Sequence, residues 1–518
     1  MSNNFLTFRA LLIFGVCVSL AVFLGYIVAS PFDWTALIVF TSLLSLLAVP
    51  LLLRWHFPIM ILSWNMNAIV FVLPGRPPFW LFMMGLSLIL SLAYYALDKR
   101  EKYLSVPEII RPLVFLALVV IITVKIRGGI GLGALGGEVS GGKRYILLLG
   151  SILGYFAFTC HGIPLKRAYS YTSAFFLGGG SAAIGNLLPL VNPAFYFIFA
   201  IFPPEQSGLE SIGLVEEAVV TRFGGLSLVC TAIFFALLAC YGIRGIFDLS
   251  NPLKFLPFRF RGGVGLNKPW RLIIFLVAVG ISLLGGFRST LILFAITFGL
   301  QFYFEKLFRT RLFPTLVLSG ILGAVVILPV ANKLPLAMQR TLSFLPIDID
   351  PVALSSAQVS TEWRLMMWKR VWPQVPQYLF IGKGYALSSR ELELMTRGRG
   401  QSDTSDIAVL AGDYHSGPLS LLMPFGIFGA ITFIWFIIAS IKVLSKNYRF
   451  SDPALLNVNR FLLAHFVTRA IFFFVFFGSL YSDLAIFVGI VGLSVSLNHG
   501  VRKEPSRLDV TEQPSAAP

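Results

Sequence analysis

In the stretch EWRLMMWKRVW, Arg364, Trp368 and Trp372 recur every four residues and so share one stripe of a helix. Tryptophans at that spacing suit a helix lying in a membrane interface. Arg364 would then sit at head-group depth, where a guanidinium can clamp phosphate oxygens bidentately; an anchoring helix whose arginine pairs with lipid or a carboxylate has the same spacing. In GDYHSGPLSLL, Ser416 and Pro418 have the character of an N-cap region and a first-turn proline. His415 therefore stands at the mouth of a helix N-terminus, whose positive dipole end disfavours imidazolium. A neutral imidazole is what a general base requires. Arg288, in GGFRST, falls in a hairpin so tight that its side chain must reach the surface between two apolar spans, a costly place without an aqueous or anionic partner. Two further segments are weaker. Gly382 and Gly384 around Lys383 allow a tight turn that could approach a ligand closely or be a turn and no more. The glycine-rich stretch 125–144, with Arg127 among its basic residues, is either a plain hairpin or a contact for an anionic head group.

The elements that must position these groups are transmembrane helices. Of the 518 residues 57% are hydrophobic and 13% charged, against roughly 25% charged in soluble domains. No water-soluble fold could cover that much apolar side chain. Apolar runs of about 20 residues make the chain an all-α, polytopic bundle rather than a barrel. Fourteen such runs are legible, among them 58–74 and 172–202, and 12–14 spans are expected. The 41 Lys and Arg residues against 24 Asp and Glu leave a charge of +17. Their clustering between apolar runs is that of membrane orientation, not of a nucleic-acid stripe. With Arg54, Lys99, Arg100, Lys166, Arg167, Lys306, Lys442 and Arg502 placed inside, both termini are cytoplasmic and Arg288, Arg364 and His415 meet on the opposite, outer side.

This divides the chain into transmembrane helices over 1–330, an outer loop with interfacial helices over 331–414, C-terminal transmembrane helices over 415–499 and a disordered cytoplasmic tail over 500–518. Cys17, Cys160, Cys230 and Cys240 lie in apolar runs without CxxC spacing, so neither a disulfide framework nor a thiolate metal site is expected. Asp348 and Asp350 have the spacing of a metal-binding pair, but IDIDP reads as a loop turn, and no metal or other cofactor is expected.

The stretch RLMMWKRVWP from Arg364, the following PQYLFIGKGY, His415 and the glycine-containing GIFGA resemble the O-antigen ligase and polymerase superfamily. GGFRS around Arg288 and RTLSFL from Arg340 resemble its other landmarks, the likeness covering roughly residues 270–440. The chain departs from that pattern in holding Ser416 where an asparagine is usual and Phe425 where an acid is usual. The resemblance implies a GT-C-like, inverting, metal-independent glycosyltransferase of the bacterial inner membrane. Its donor would be a polyprenyl-diphosphate glycan and its acceptor a lipid or polysaccharide hydroxyl on the periplasmic face. Carried over by residue, Arg288 and Arg364 would hold the diphosphate and His415 would activate the acceptor. Lys383, Arg127 and Trp368 would complete the substrate site. A transporter or flippase of lipid-linked glycans is the competing expectation, for which discontinuous helices and charges near mid-membrane, such as Arg469, would be required.

Overall fold

The computed structural model describes residues 52–97, 103–129, 141–204, 220–250, 265–387 and 404–504, with Phe258, Arg259 and the isolated positions Val18, Gly25 and Pro50. The first two expected spans, the middle of the 125–144 loop, residues 388–403 and most of the tail fall outside them. The chain forms two compact units, Met1–Ile59 and Met60–Pro518. In the first, residues 52–59 are helical; the second carries everything below.

Among the described residues nine helices, from Phe79–Leu97 to Leu480–Leu497, are long and apolar enough to cross a membrane. The only strands among them are the two-residue antiparallel pair Phe258–Arg259 and Gly265–Leu266. The chain is thus a multi-pass membrane protein with a polytopic helical bundle. The expected span at 58–74 is not one: its helix stops at Ser63. Two asparagines explain the stop. Asn65 Nδ2 donates to Phe175 O at 2.8 Å and Asn67 Nδ2 to Pro203 O at 3.0 Å, drawing the backbone away from a helical path. The expected span at 172–202 begins earlier and ends at Val191. Asn192 then caps a short turn over Pro193–Ala200, its Oδ1 accepting the Ala194 N–H.

Eight helices frame the site: α1 Gly224–Ile246, α2 Lys268–Ser282, α3 Arg288–Phe304, α4 Leu336–Leu342, α5 Pro351–Val371, α6 Gly417–Arg449, α7 Leu456–Ile471 and α8 Leu480–Leu497. Lipid tails are as apolar as leucine, so helices associate in a bilayer through close packing and hydrogen bonds rather than hydrophobic burial. Aromatic packing supplies the first: Phe433 of α6 meets Phe473 at 5.1 Å and Phe487 of α8 at 5.7 Å between ring centroids. Amides supply the second at the end of the bundle where α6 finishes. There Asn459 of α7 and Asn498 exchange side-chain hydrogen bonds at 2.9 and 2.7 Å, and Asn447 of α6 donates to Ser494 of α8.

Two helices are broken. In α1 the break falls at Gly242, and the freed N–H groups of Ile243 and Arg244 donate to the two carboxylate oxygens of Glu305 at 2.8 and 3.0 Å. In α6 it falls at Gly426, whose φ of 61° and ψ of −159° belong to glycine alone. A wedge of chain, residues 379–384, fills this second break. Lys383 N donates to Met423 O, Gly384 N to Pro424 O and Ile427 N to Leu379 O. The approach is so close that a Cβ on Gly382 would lie 1.9 Å from Pro424 O. Backbone groups inside a bilayer must be satisfied internally, and the wedge does this for the broken turn.

Candidate functional site

The expected hairpin exists. After α2 a single turn over Leu283–Gly285 leads through Gly286, at φ 70°, to Arg288 as the first residue of α3. Helix α4 braces it from the side. Arg340 donates through Nη1 to Gly286 O and through Nε to Ser356 Oγ of α5, while Thr341 Oγ1 donates to Leu283 O at 2.9 Å. Asp350 is occupied as the N-cap of α5, its Oδ1 accepting the Val352 N–H, so it is engaged in the turn read from IDIDP.

Helix α5 then brings two guanidiniums together, carrying Arg364 and anchoring Arg288 of α3. Arg288 Nη2 reaches across to Ala357 O and Thr361 Oγ1, both at 2.9 Å. Arg364 lies one turn beyond Thr361 on the same face. The two charges sense each other: burial first, then Arg288, lowers the Arg364 pKa, though a guanidinium stays charged at any physiological pH. Among the described residues neither arginine forms an ion pair with a carboxylate. Arg288 also opens α3, where the helix dipole is already positive, so this end of the bundle concentrates positive potential.

His415 joins them through aromatic rings. Its imidazole centroid lies 5.1 Å from the Phe477 ring and 5.2 Å from that of Trp363, and the Arg364 Cζ lies 5.6 Å from the same Phe477 centroid. His415 holds a left-handed backbone, φ 46°, which is strained for a residue with a Cβ. Trp368 secures the approach to that bend, its Nε1 donating to Tyr414 O at 2.8 Å. Ser416 is the N-cap and Pro418 stands in the first turn of α6, as the residue types imply, although the Ser416 hydroxyl makes no capping bond. Burial depresses the His415 pKa; the Asp413 carboxylate, 3.9 Å from Nε2, opposes that and Arg364 adds to it. The ring is therefore predominantly neutral at pH 7, and its Nδ1 is buried without a partner.

The three residues expected to do chemistry are thus neighbours. The other three expected site residues hold the frame around them. Arg127 donates through Nε to Gly382 O at 2.8 Å and through Nη2 to Ile381 O at 3.1 Å, pinning the wedge. Lys383 enters through its backbone bond to Met423 O. Trp368 acts on Tyr414, and the expected Arg364–Trp368–Trp372 stripe divides, with Trp372 turned outward and 61% exposed. Sequence reasoning missed Phe477, Trp363, Arg144 and Asp413. Phe477 closes a run of phenylalanines with nothing to single it out. Arg144 donates to Ala411 O and lies over the Tyr481 ring at 4.5 Å. Asp413, two residues before His415, carried a legible signal in its spacing.

Residues 267–434 match the family described as O-Antigen ligase. About a third of the chain is thus similar to an O-antigen ligase domain. No curated protein matches the chain. Arg288, Arg364, His415, Arg340, Trp368 and the wedge all lie within the matched stretch, whereas Arg127, Arg144 and Phe477 reach it from outside. That similarity supports a membrane glycan-transfer function and a glycosyltransferase-like enzyme.

Proposed function

We propose that the protein transfers a glycan from a polyprenyl-diphosphate donor to an acceptor hydroxyl on the periplasmic face of the inner membrane, as a ligase or polymerase, with both termini cytoplasmic. The observation that carries this reading is the meeting of two guanidiniums, without carboxylate partners among the described residues, with a largely neutral imidazole around Phe477. Like charges held together in a half-buried place repel, and an anion between them relieves the repulsion. A diphosphate does so twice: on binding, and more strongly as the glycosidic bond breaks and the leaving group gains negative charge. Arg288 and Arg364 present planar donor forks to its oxygens. His415 accepts the proton of the acceptor hydroxyl as that oxygen attacks the anomeric carbon, and attack opposite the diphosphate inverts the centre. A cationic donor set of this kind repels a divalent ion, so the arginines take the part a metal would play.

Discontinuous helices would also suit a flippase for lipid-linked glycans. The breaks at Gly242 and Gly426 are closed by Glu305 and by the wedge, however, and neither offers free backbone to a passing ligand. The deciding experiment incubates purified protein with a defined polyprenyl-diphosphate glycan, candidate acceptors and a chelator. Glycosylated acceptor is expected from the wild type. Full transfer by both Arg364→Ala and His415→Ala would overturn the assignment, and transport of the lipid-linked glycan across vesicles without any glycosylated product would favour the flippase.

A further inference from the structure

A second group of polar side chains lies deeper in the bundle, apart from the arginine–histidine site. A cavity of about 300 Å³ is bounded by Asn65, Asn67, Thr231, Phe235, His465 and Arg469, among others. His465 and Arg469 stand four residues apart on α7, on one face of the helix. The His465 ring is sandwiched between Phe461, at 5.4 Å and nearly parallel, and Phe235, at 4.2 Å. Its Nδ1 and the Arg469 Nε are both buried with no hydrogen-bond partner. Asp483 acts on Arg469 through its charge, but among the described residues the two form no ion pair, and the carboxylate accepts the Ser479 N–H at 2.8 Å. A cation and an imidazole so placed inside a membrane span are costly, and are kept where a ligand answers them.

The walls say more about that ligand than its charge. Asn65 and Asn67 use their amide N–H groups on backbone carbonyls, which leaves both side-chain oxygens as acceptors for hydroxyl groups. Thr231 likewise donates to Ser227 O and keeps its lone pairs. The Phe176 and Phe235 rings give apolar faces beside these acceptors. A bare inorganic anion would need neither the acceptors nor the rings, and the volume is at the small end of the range for small-molecule sites. Helix α7 links the cavity to the proposed reaction site: from Arg469 the chain runs on through the π-helical turn Phe472–Phe476 to Phe477.

We propose that this cavity is a subsite for one acidic sugar residue of the acceptor, held by Arg469 through a carboxylate or phosphate and by Asn65 and Asn67 through its hydroxyls. The word acceptor rests on the transfer reading above; the binding itself does not. The test measures equilibrium binding of glucuronic acid, glucose 6-phosphate, glucose and inorganic phosphate to the full chain in nanodiscs without donor. One of the two acidic sugars is expected to bind about tenfold or more tightly than glucose or inorganic phosphate, and which one identifies the anion. Arg469→Gln should weaken it by a similar factor and Arg469→Lys should retain part of it, with unchanged size-exclusion profiles. Arg364→Ala should bind like the wild type, so loss of transfer with retained binding separates the two sites. Equal binding of glucose and both acidic sugars, inorganic phosphate binding as tightly as they do, or unchanged affinity in Arg469→Gln would each overturn the proposal.

Discussion

Where α6, α7 and α8 come together at the Asn447 end, Asn459 and Asn498 satisfy each other, and Glu305 accepts both amides freed at Gly242 and the Gln301 amide as well. At the other end of the same helices, Arg288 and Arg364 form no ion pair with a carboxylate among the described residues, His415 keeps an unpartnered ring nitrogen, and the backbone at His415 is bent into a left-handed turn. Both ends bury polar groups. At the first, the side-chain amides and Glu305 answer one another; at the second, the proposed partner is the substrate. Polarity alone therefore does not mark a working site in a membrane bundle.

The sharpest way to break this contrast is to alter one residue at each end. Arg364→Ala is expected to cut glycan transfer about 10²–10³-fold while leaving thermal unfolding in detergent nearly unchanged, since among the described residues Arg364 forms no ion pair and its one ring contact is with Phe477. Glu305→Ala should do the reverse, destabilising the protein by about 1–3 kcal/mol through two orphaned amides, with transfer by the folded fraction nearly intact. A large loss of stability in the first or of turnover in the second would erase the distinction. Trp368→Phe removes one hydrogen bond to the chain beside His415 and should lower turnover about 2–10-fold at unaltered donor affinity. The smallest effect is a displacement along the pH axis. The Asp413 carboxylate favours imidazolium, so Asp413→Asn lowers the His415 pKa further and moves the acid limb of the rate profile to lower pH. Movement to higher pH would show that Asp413 does not act on His415 through charge.

Much of this arrangement was legible in the residues. Apolar runs fixed the class of fold, and the tight Gly286 turn, the α6 opening at Ser416 and Pro418, and the nearness of Arg288, Arg364 and His415 follow from spacing. The ends of helices were less legible, because hydropathy is blind to single side chains that redirect a backbone. Asn65 and Asn67 end a run that is apolar enough to continue. The wedge was illegible for a different reason. GKG does specify a turn, but that the turn lies inside a broken α6 depends on Gly426, more than forty residues later, and on Arg127, some 250 residues earlier. Phe477 shows the same limit, since only contacts distinguish it from the phenylalanines before it.

The left-handed bend at position 415 has a use at the bench. Glycine adopts that conformation without penalty, so His415→Gly would relax the chain and open an imidazole-shaped gap between Trp363 and Phe477. Free imidazole added to the buffer could then occupy the gap and restore turnover, and methylated or fluorinated imidazoles of graded basicity would turn the rate into a direct readout of how strongly proton removal limits it.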